Sequence, residues 1–437
     1  MPTELNIRGR IGILGAGREG MAAFEHLRKA HPQNDITVIS EALTGNQNEA
    51  VLRDLGVLKV CPFDEAGLDE YDWLIRSPGI SCYRRCLQRA SAAGVGTTTP
   101  SNIWFDQHPL ASTIVITGTK GKSTTAALLA HLLKSAGLKT RLAGNIGTPL
   151  LGCDDEDVDW WVVELSSYQL ADLQAQPTIG VLLNLATDHL DWHGTEARYH
   201  ADKLRLAGLV RAGDLIANGS DSNLRKALAK HELVQWFDGH DDDLAVITMP
   251  VSLPGRHNRE NLAACMAVLQ KLGIRPGQVS KSLAGFEGLP HRLKSVGEFN
   301  GVEYVNDSIS TAPVATIAAL EAYRDRQVIL LIGGFERGID WDSYAERFQQ
   351  HPPLAMVALP DNGPGIVRAL EKRGIKPELG TVVSQNLAQA MEYARQLAPP
   401  GSVVLLSPGA PSFPQFKDYE DRGQQFAALC SVNSDHD

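Results

Sequence analysis

IVITGTKGKSTTAALLAHLL, residues 114–133, decides how the rest of the chain is read. Ile114–Thr117 are apolar or β-branched, as in a buried strand. Gly118, Thr119, Lys120 and Gly121 make a turn, and Lys122, Ser123 and Thr124 open a stretch of helix-forming residues. The first N–H groups of a helix have no intrahelical partner, and with the helix dipole they favour an anion by up to about 2 kcal/mol in a partly buried site. Lys122 adds charge at a transferring phosphate, and Ser123 or Thr124 offers a hydroxyl to Mg²⁺. Gly118–Thr124 therefore reads as a shortened P-loop; the bland alternative is a capped helix with a chance lysine.

Upstream lies what reads as a complete domain. RIGILGAGREGMAAFEHLRKA (10–30) followed by DITVISE (35–41) is a strand, a glycine turn, a helix and a second strand. Gly15, Gly17 and Gly20 fit GxGxxG, and Glu41 ends the next strand at the distance a ribose-binding acid would need. That pattern predicts a dinucleotide; a tight strand-to-helix turn without a ligand is the other reading. YDWLIRSPGI (71–80) is an apolar stretch ending in the turn Ser77-Pro78-Gly79, and breakers around DQHPLAST (106–113) suggest a boundary near residue 110.

Downstream, WWVVEL (160–165) and IGVLLNL (179–185) are further buried strands with helical sequence after them, which favours a mostly parallel sheet. Glu164 closes the first of these and supplies the carboxylate a P-loop enzyme directs at magnesium. Asp188, His189, Asp191 and His193 follow the second; by chemistry alone that cluster reads as a solvated loop, since Mg²⁺ prefers oxygen. GRHNRENLAACMAVLQKLG (255–273) is a helix with a glycine stop, and LAGFEGLPHRLKSVG (283–297) a hinge, with a boundary near 288. Asn300-Gly301 is a hairpin signal. TIAALEAYRD, QVILLIGG, LAMVALP and SVVLLSPG then alternate as helix and strand. The expected fold class is α/β with three domains, 1–110, 111–288 and 289–437: Rossmann-like, P-loop mononucleotide-binding and Rossmann-like.

The bulk numbers agree. At roughly 150 residues per domain, 437 residues suggest about three. A net charge of -10 argues against a nucleic-acid binder. No apolar run is long enough to span a bilayer, and residues 1–10 lack a signal core, so a cytoplasmic protein without membrane partners is expected. Six scattered cysteines read as reduced thiols.

Eight blocks, GTKGKST, GNIGTPL, ELSSYQL, NLATDHLDWHG, YHADKLRL, GRHNRENL, GLPHRL and YVNDS, together resemble the Mur ligase family, in order and over nearly the whole chain. The short first domain and the ending LLSPGAPSFPQFKDYEDRGQQF resemble its glutamate-adding branch. The resemblance implies a monomeric, ATP- and Mg²⁺-dependent amide ligase acting on small molecules in peptidoglycan precursor synthesis, and so in cell-wall biogenesis, cell shape and division. Its first domain would hold the UDP of UDP-N-acetylmuramoyl-L-alanine, its centre ATP, and its third domain the incoming glutamate.

By that match Lys122, Asn145, His189 and Lys203 are the catalytic set. Gly118–Thr124, Asn258, Asn261, Arg292 and Asp307 hold ATP. Gly15, Gly17, Arg18, Glu19, Ser77, Pro78, Gly79, Asn145, Ser166 and Gln169 hold the UDP-linked substrate. Ser123, Glu164, His189 and Lys203, the last as a carbamate, serve magnesium. Thr311, Arg337, Ser412 and Phe416 hold glutamate. Ile309 stands where the D-glutamate-adding enzymes usually carry a lysine, and Arg337 where they carry a second. D-glutamate, which the family majority adds, is therefore the expected amino acid; NDSIST and FERGIDW resemble a branch that adds L-glutamate, which is the alternative. Ser40 and Glu41 take the place of the uracil-contacting acid. The rivals are a folylpolyglutamate synthetase or later Mur ligase, which disagree with residues 1–110, an NAD-dependent oxidoreductase, which leaves Lys122 without a role, and a non-catalytic nucleotide switch, which needs no Glu164.

Overall fold

The computed structural model describes residues 5–43, 47–153, 157–240, 249–250 and 252–431. Residues 1–4, read above for an export signal, lie outside them. Three sheets follow one another along the chain. The first comprises β1 (Arg10–Leu14), β2 (Asp35–Ser40), β3 (Leu58–Val60), β4 (Trp73–Arg76) and β5 (Gly96–Thr98), in the order β3-β2-β1-β4-β5, and every pairing is parallel.

The second sheet, also all parallel, holds β6 (Thr113–Thr117), β7 (Thr140–Gly144), β8 (Trp160–Glu164), β9 (Ile179–Leu182), β10 (Leu215–Asn218) and β11 (Gln235–Phe237), ordered β11-β10-β9-β6-β8-β7. All five residues of β6 are buried, as expected of a strand covered on both faces. The order reverses around β6, so the P-loop leaves the carboxyl end of a strand at a switch point, where open α/β sheets bind their ligands. Register places Glu164 beside Ile116, one residue before the end of β6.

The third sheet contains β12 (Lys294–Phe299), β13 (Val302–Asn306), β14 (Val328–Ile332), β15 (Ala355–Ala358), β16 (Thr381–Val383) and β17 (Val403–Leu406), in the order β12-β13-β17-β14-β15-β16. Only β12 and β13 pair antiparallel. Their turn is the expected one: Asn300 and Gly301 both have positive φ, 54° and 73°, as a two-residue hairpin turn that follows the twist of its strands requires.

The first two sheets share one compact unit, reaching to His240 among the described residues and including Glu260–Ser280; the third belongs to a second unit with the described residues of 249–259 and 281–431. A single apolar cluster runs through the first unit, from Ile11 and Ile13 to Val115 and Val163, with Trp104 edge-on to Trp161 at 4.9 Å between ring centroids. Among the described residues no helix is long and apolar enough to cross a membrane.

Candidate active site

The P-loop is shaped by two close approaches. Gly121 has φ 85°, and a Cβ there would meet Asn261 Oδ1 at 2.3 Å; a Cβ on Gly118 would meet the Leu183 side chain at 2.8 Å. Asn261 is thus brought to the loop. The helix Lys122–Ser135 begins at once, with no side-chain cap on its first N–H groups. The Lys120 peptide is clamped by Asn184, whose Oδ1 accepts from Lys120 N at 2.8 Å while its Nδ2 donates to Lys120 O at 3.0 Å. Thr119 is buried, its hydroxyl engaged with Ala186 O and the Tyr199 hydroxyl while its backbone N–H donates to Asn184 O at 3.1 Å.

Two lysines converge on one carbonyl. Lys122 Nζ and Lys203 Nζ each donate to Gly118 O at 3.0 Å. Lys203, 2% exposed, lies over the Tyr199 ring. Burial, and then the charge of Lys122, hold its amine well below the usual lysine range. Sequence alone reads Lys203 as a helix-surface lysine; its helix Glu196–Leu209 instead turns it into the core.

Glu164 is fully buried at the end of β8. Its Oε1 accepts from Asn145 Nδ2 at 2.8 Å, and its Oε2 has no hydrogen-bond partner; neither has the buried Thr117 Oγ1 at the end of β6. Buried carboxylate oxygens without partners are costly unless a cation or donor completes them. Gly144 makes the approach possible: its φ is 102°, and a Cβ would meet Glu164 O at 2.4 Å.

The expectation that residues 188–193 form a solvated loop is half right. His189 is about half exposed, with a left-handed backbone at φ 51°. Burial, along with the nearby lysines 122, 203 and 120, keeps its imidazole below the usual range despite Asp188. His193 is buried: Nδ1 meets Asp202 Oδ2 at 2.6 Å and Nε2 meets Ser167 Oγ at 3.0 Å. The local pattern hid this because the partners lie on other helices.

The GxGxxG turn sits against the same region. A Cβ on Gly20 would fall 1.9 Å from Gly15 O, so helix and turn pack only with glycine there, whereas nothing lies within 4 Å of the position above Gly17. Arg18 donates to Gly147 O and Asn145 O at 3.1 and 3.3 Å. Gln169 Nε2 donates to Glu19 at 3.1 Å, while Gln169 and Ser166 form a capping box. Burial pushes Glu19 up to about 7, against the pull of Arg18. The substrate residues expected on both segments therefore meet. Glu41 is spoken for by a bidentate pair with Arg84 at 2.7 and 2.8 Å.

In the second unit the carboxyl ends of β13, β17 and β14 gather the remaining residues. Asp307 accepts from Ser310 Oγ at 2.5 Å, Ser407 Oγ at 2.7 Å and Leu293 N at 3.2 Å. Burial pushes its carboxyl up to about 6, against these bonds and the charge of Arg292. Arg292 has a buried Nε without a partner, and Asn258 is buried and donates to Pro254 O. Ser412 is buried, Thr311 half-buried and Arg337 exposed; Phe416 packs on the apolar cluster of this sheet. Sequence reasoning missed Arg422, fully buried, which donates to Ser308 O, Ser308 Oγ and Ala410 O and so ties the loops after β13 and β17 together.

Asp307 makes a pH prediction. Its folded value lies above the ordinary carboxyl range, so the native state binds more protons between about pH 4 and 6, and stability falls as pH rises through that window. Asp307→Asn is expected to flatten this part of the thermal-stability profile by about 2–3 kcal/mol. An unchanged profile would show that Asp307 is ionised throughout.

No three His, Cys, Asp or Glu residues among those described form a ready metal cage. The open oxygens of Glu164 and Thr117 suit instead a largely hydrated, oxygen-preferring ion such as Mg²⁺, which is bound through one or two carboxylates plus substrate phosphates.

Comparison with known proteins agrees with this arrangement. Residues 116–269 match the Mur ligase middle domain and residues 291–409 the Mur ligase, glutamate ligase domain. The chain is 40% identical to the UDP-N-acetylmuramoyl-L-alanine--L-glutamate ligase of Xanthomonas axonopodis pv. citri, over 97% of this chain and 95% of that one. It is 34% identical to the enzyme of the same name from a Micromonospora species, over 99% and 98%. Among solved structures, the UDP-N-acetylmuramate-alanine ligase MurC of Thermotoga maritima superposes with a TM-score of 0.60 at 18% identity, over 96% of this chain and 98% of that one. MurF ligase of Thermotoga maritima, solved with ADP, gives 0.60 at 15%, over 98% and 96%. With relatives this similar along nearly its whole length, the chain belongs to the Mur ligase family.

Proposed function

We propose that this chain uses ATP to join L-glutamate to the alanine carboxyl of UDP-N-acetylmuramoyl-L-alanine, a step of peptidoglycan precursor synthesis in the cytoplasm. The carrying observation is the convergence of Lys122 and Lys203 on Gly118 O at the uncapped start of a helix. That sets the charge of Lys122 at the start of a helix, where a triphosphate would lie, with the Lys203 amine beside it. The three segments 1–110, 111–288 and 289–437 serve as the domains for the UDP-linked substrate, ATP and glutamate.

The chemistry begins with the alanine carboxylate attacking the γ-phosphorus of ATP, which releases ADP and leaves an acyl phosphate. The glutamate amine then adds to that carbonyl, loses a proton, and expels phosphate. Hydroxide is a poor leaving group; phosphate is a good one. Lys122 and the helix N–H groups offset charge on the transferring phosphoryl group, worth several kcal/mol in a site closed to water. Asn145 is held by Glu164 and by the Gly144 turn, which orients its amide beside the reacting carboxylate. Ser123, Glu164 and His189 would hold Mg²⁺, which would neutralise charge on both reacting groups. Lys203, whose amine burial holds well below the usual lysine range, adds to CO₂ with loss of a proton, giving a carbamate oxygen for the same purpose; a carbamate carbon signal under ¹³CO₂ checks this, and its absence refutes it. Arg292, Asn258, Asn261 and Asp307 complete the ATP side; Thr311, Arg337, Ser412 and Phe416 receive glutamate.

The relatives' shared name favours the L enantiomer over the family-majority D. So do Ile309 and Arg337, which stand where the D-adding enzymes carry lysines; an arginine keeps the charge but binds a carboxylate in a different, forked geometry. Phosphate release from ATP and UDP-N-acetylmuramoyl-L-alanine is expected with L-glutamate and not with D-glutamate. Turnover with D-glutamate alone would reverse the handedness, and none with either would refute the reading.

A further inference from the structure

Arg76 ends β4 and is fully buried. Its Nε and Nη2 form a fork on the Asp172 carboxylate at 3.1 and 2.7 Å. Nη1 donates to the carbonyls of Ser77, Pro78 and Ile80, at 3.3, 3.3 and 2.6 Å, and Nη2 to Tyr168 O at 3.2 Å. One guanidinium thus holds the Ser77-Pro78-Gly79 turn on one side and the short helix Ser167–Leu170 on the other. No lysine could make this set of bonds, because its point charge lacks the planar fork.

The turn is held from a second direction. Trp192 Nε1 donates to Pro78 O at 3.1 Å, and Ser81 Oγ donates to Trp192 O at 2.9 Å. Trp192 stacks on Tyr168 at 4.6 Å between centroids, and the Arg76 guanidinium lies 5.7 Å from the Trp192 ring. Tyr83 OH donates to Asp202 Oδ1 at 2.6 Å, and Asp202 is the neighbour of Lys203. Trp192 stands three residues after His189. The segments that carry His189 and Lys203 are therefore tied to the turn and to the residues just after it by buried or half-buried polar contacts.

We propose that Arg76 is a positioning residue for ligation. It fixes the turn that receives the UDP-linked substrate relative to the segments that carry His189 and Lys203, so the alanine carboxylate arrives in register with the phosphate site. Misplacement by about 1 Å is enough to cost on the order of a hundredfold in rate. Tyr83 acts with it, on the Lys203 side. The assignment rests on the ligase reading above, and the test separates the two.

The full-length Arg76→Lys and Tyr83→Phe variants are compared with the parent by steady-state kinetics and amide hydrogen exchange; Tyr83→Phe keeps its ring and so its packing. Arg76→Lys is expected to speed exchange at residues 77–83 at least tenfold, leave the helix 122–135 unchanged, and raise KM for the UDP-linked substrate tenfold or more with KM for ATP within twofold. Tyr83→Phe is expected to lower kcat severalfold with each KM nearly constant. Unchanged exchange at 77–83, or an equal loss in every kinetic parameter that tracks the unfolded fraction, would overturn the proposal. If the parent ligates nothing, the ligase reading fails by itself, and the exchange result alone decides whether Arg76 holds the turn.

Discussion

Lys122→Ala is expected to lower ligation turnover by about a thousandfold or more while the protein stays folded. The side chain's charge is directed at the loop: Nζ donates to Gly118 O and Thr119 O, at 3.0 and 3.1 Å. Losing those two bonds costs about 1 kcal/mol each at most in a part-exposed site. Against that, alanine favours the helix start and removes a positive charge from the positive end of the helix and from beside buried Lys203. Folding stability is therefore expected to change by no more than about 1 kcal/mol. A transferring phosphoryl group has no substitute for that charge. Retained turnover would remove the P-loop lysine from the mechanism.

Glu164→Gln separates function from stability more sharply. The carboxylate is fully buried, one oxygen is satisfied by Asn145, and the other has no partner. A neutral amide keeps the Asn145 bond and sheds the desolvation cost of a charge, so melting is expected at or above the parent temperature, by up to about 1–3 kcal/mol in stability. Activity is expected to fall at least about a hundredfold, because the anion that would complete the metal site is gone. Mg²⁺ titration would show weaker binding. A variant that melts several degrees lower yet keeps its rate would mean that Glu164 is structural.

Much of this was legible in the sequence. Apolar runs gave away β1, β2, β4, β6, β8, β9 and the strands of the third sheet that bury both faces, because a parallel strand must be apolar on both sides. The shortest strands were not singled out: β3, β5, β11 and β16 have three residues each, partly exposed, and so carry no period to detect. Glycines 15, 20, 118 and 121 announced tight turns, and the structure shows close approaches at each; Gly144, whose approach to Glu164 is as tight, was not singled out. Arg76, Asn184, Asp202 and Arg422 were invisible for one physical reason. Each meets its partner, backbone or side chain, tens to over a hundred residues away, a distance that local patterning does not encode. Lys203 and His193 looked like surface residues on the same ground; only the packed helices show where they point.

The central claim is that this site turns a carboxylate into an acyl phosphate, and one isotope experiment tests it most directly. UDP-N-acetylmuramoyl-L-alanine labelled with ¹⁸O in the alanine carboxylate is turned over once with ATP and L-glutamate, and the released phosphate is weighed by mass spectrometry. The account predicts phosphate carrying one labelled oxygen, because the carboxylate oxygen that attacked phosphorus leaves with it. Unlabelled phosphate accompanying amide product would contradict it.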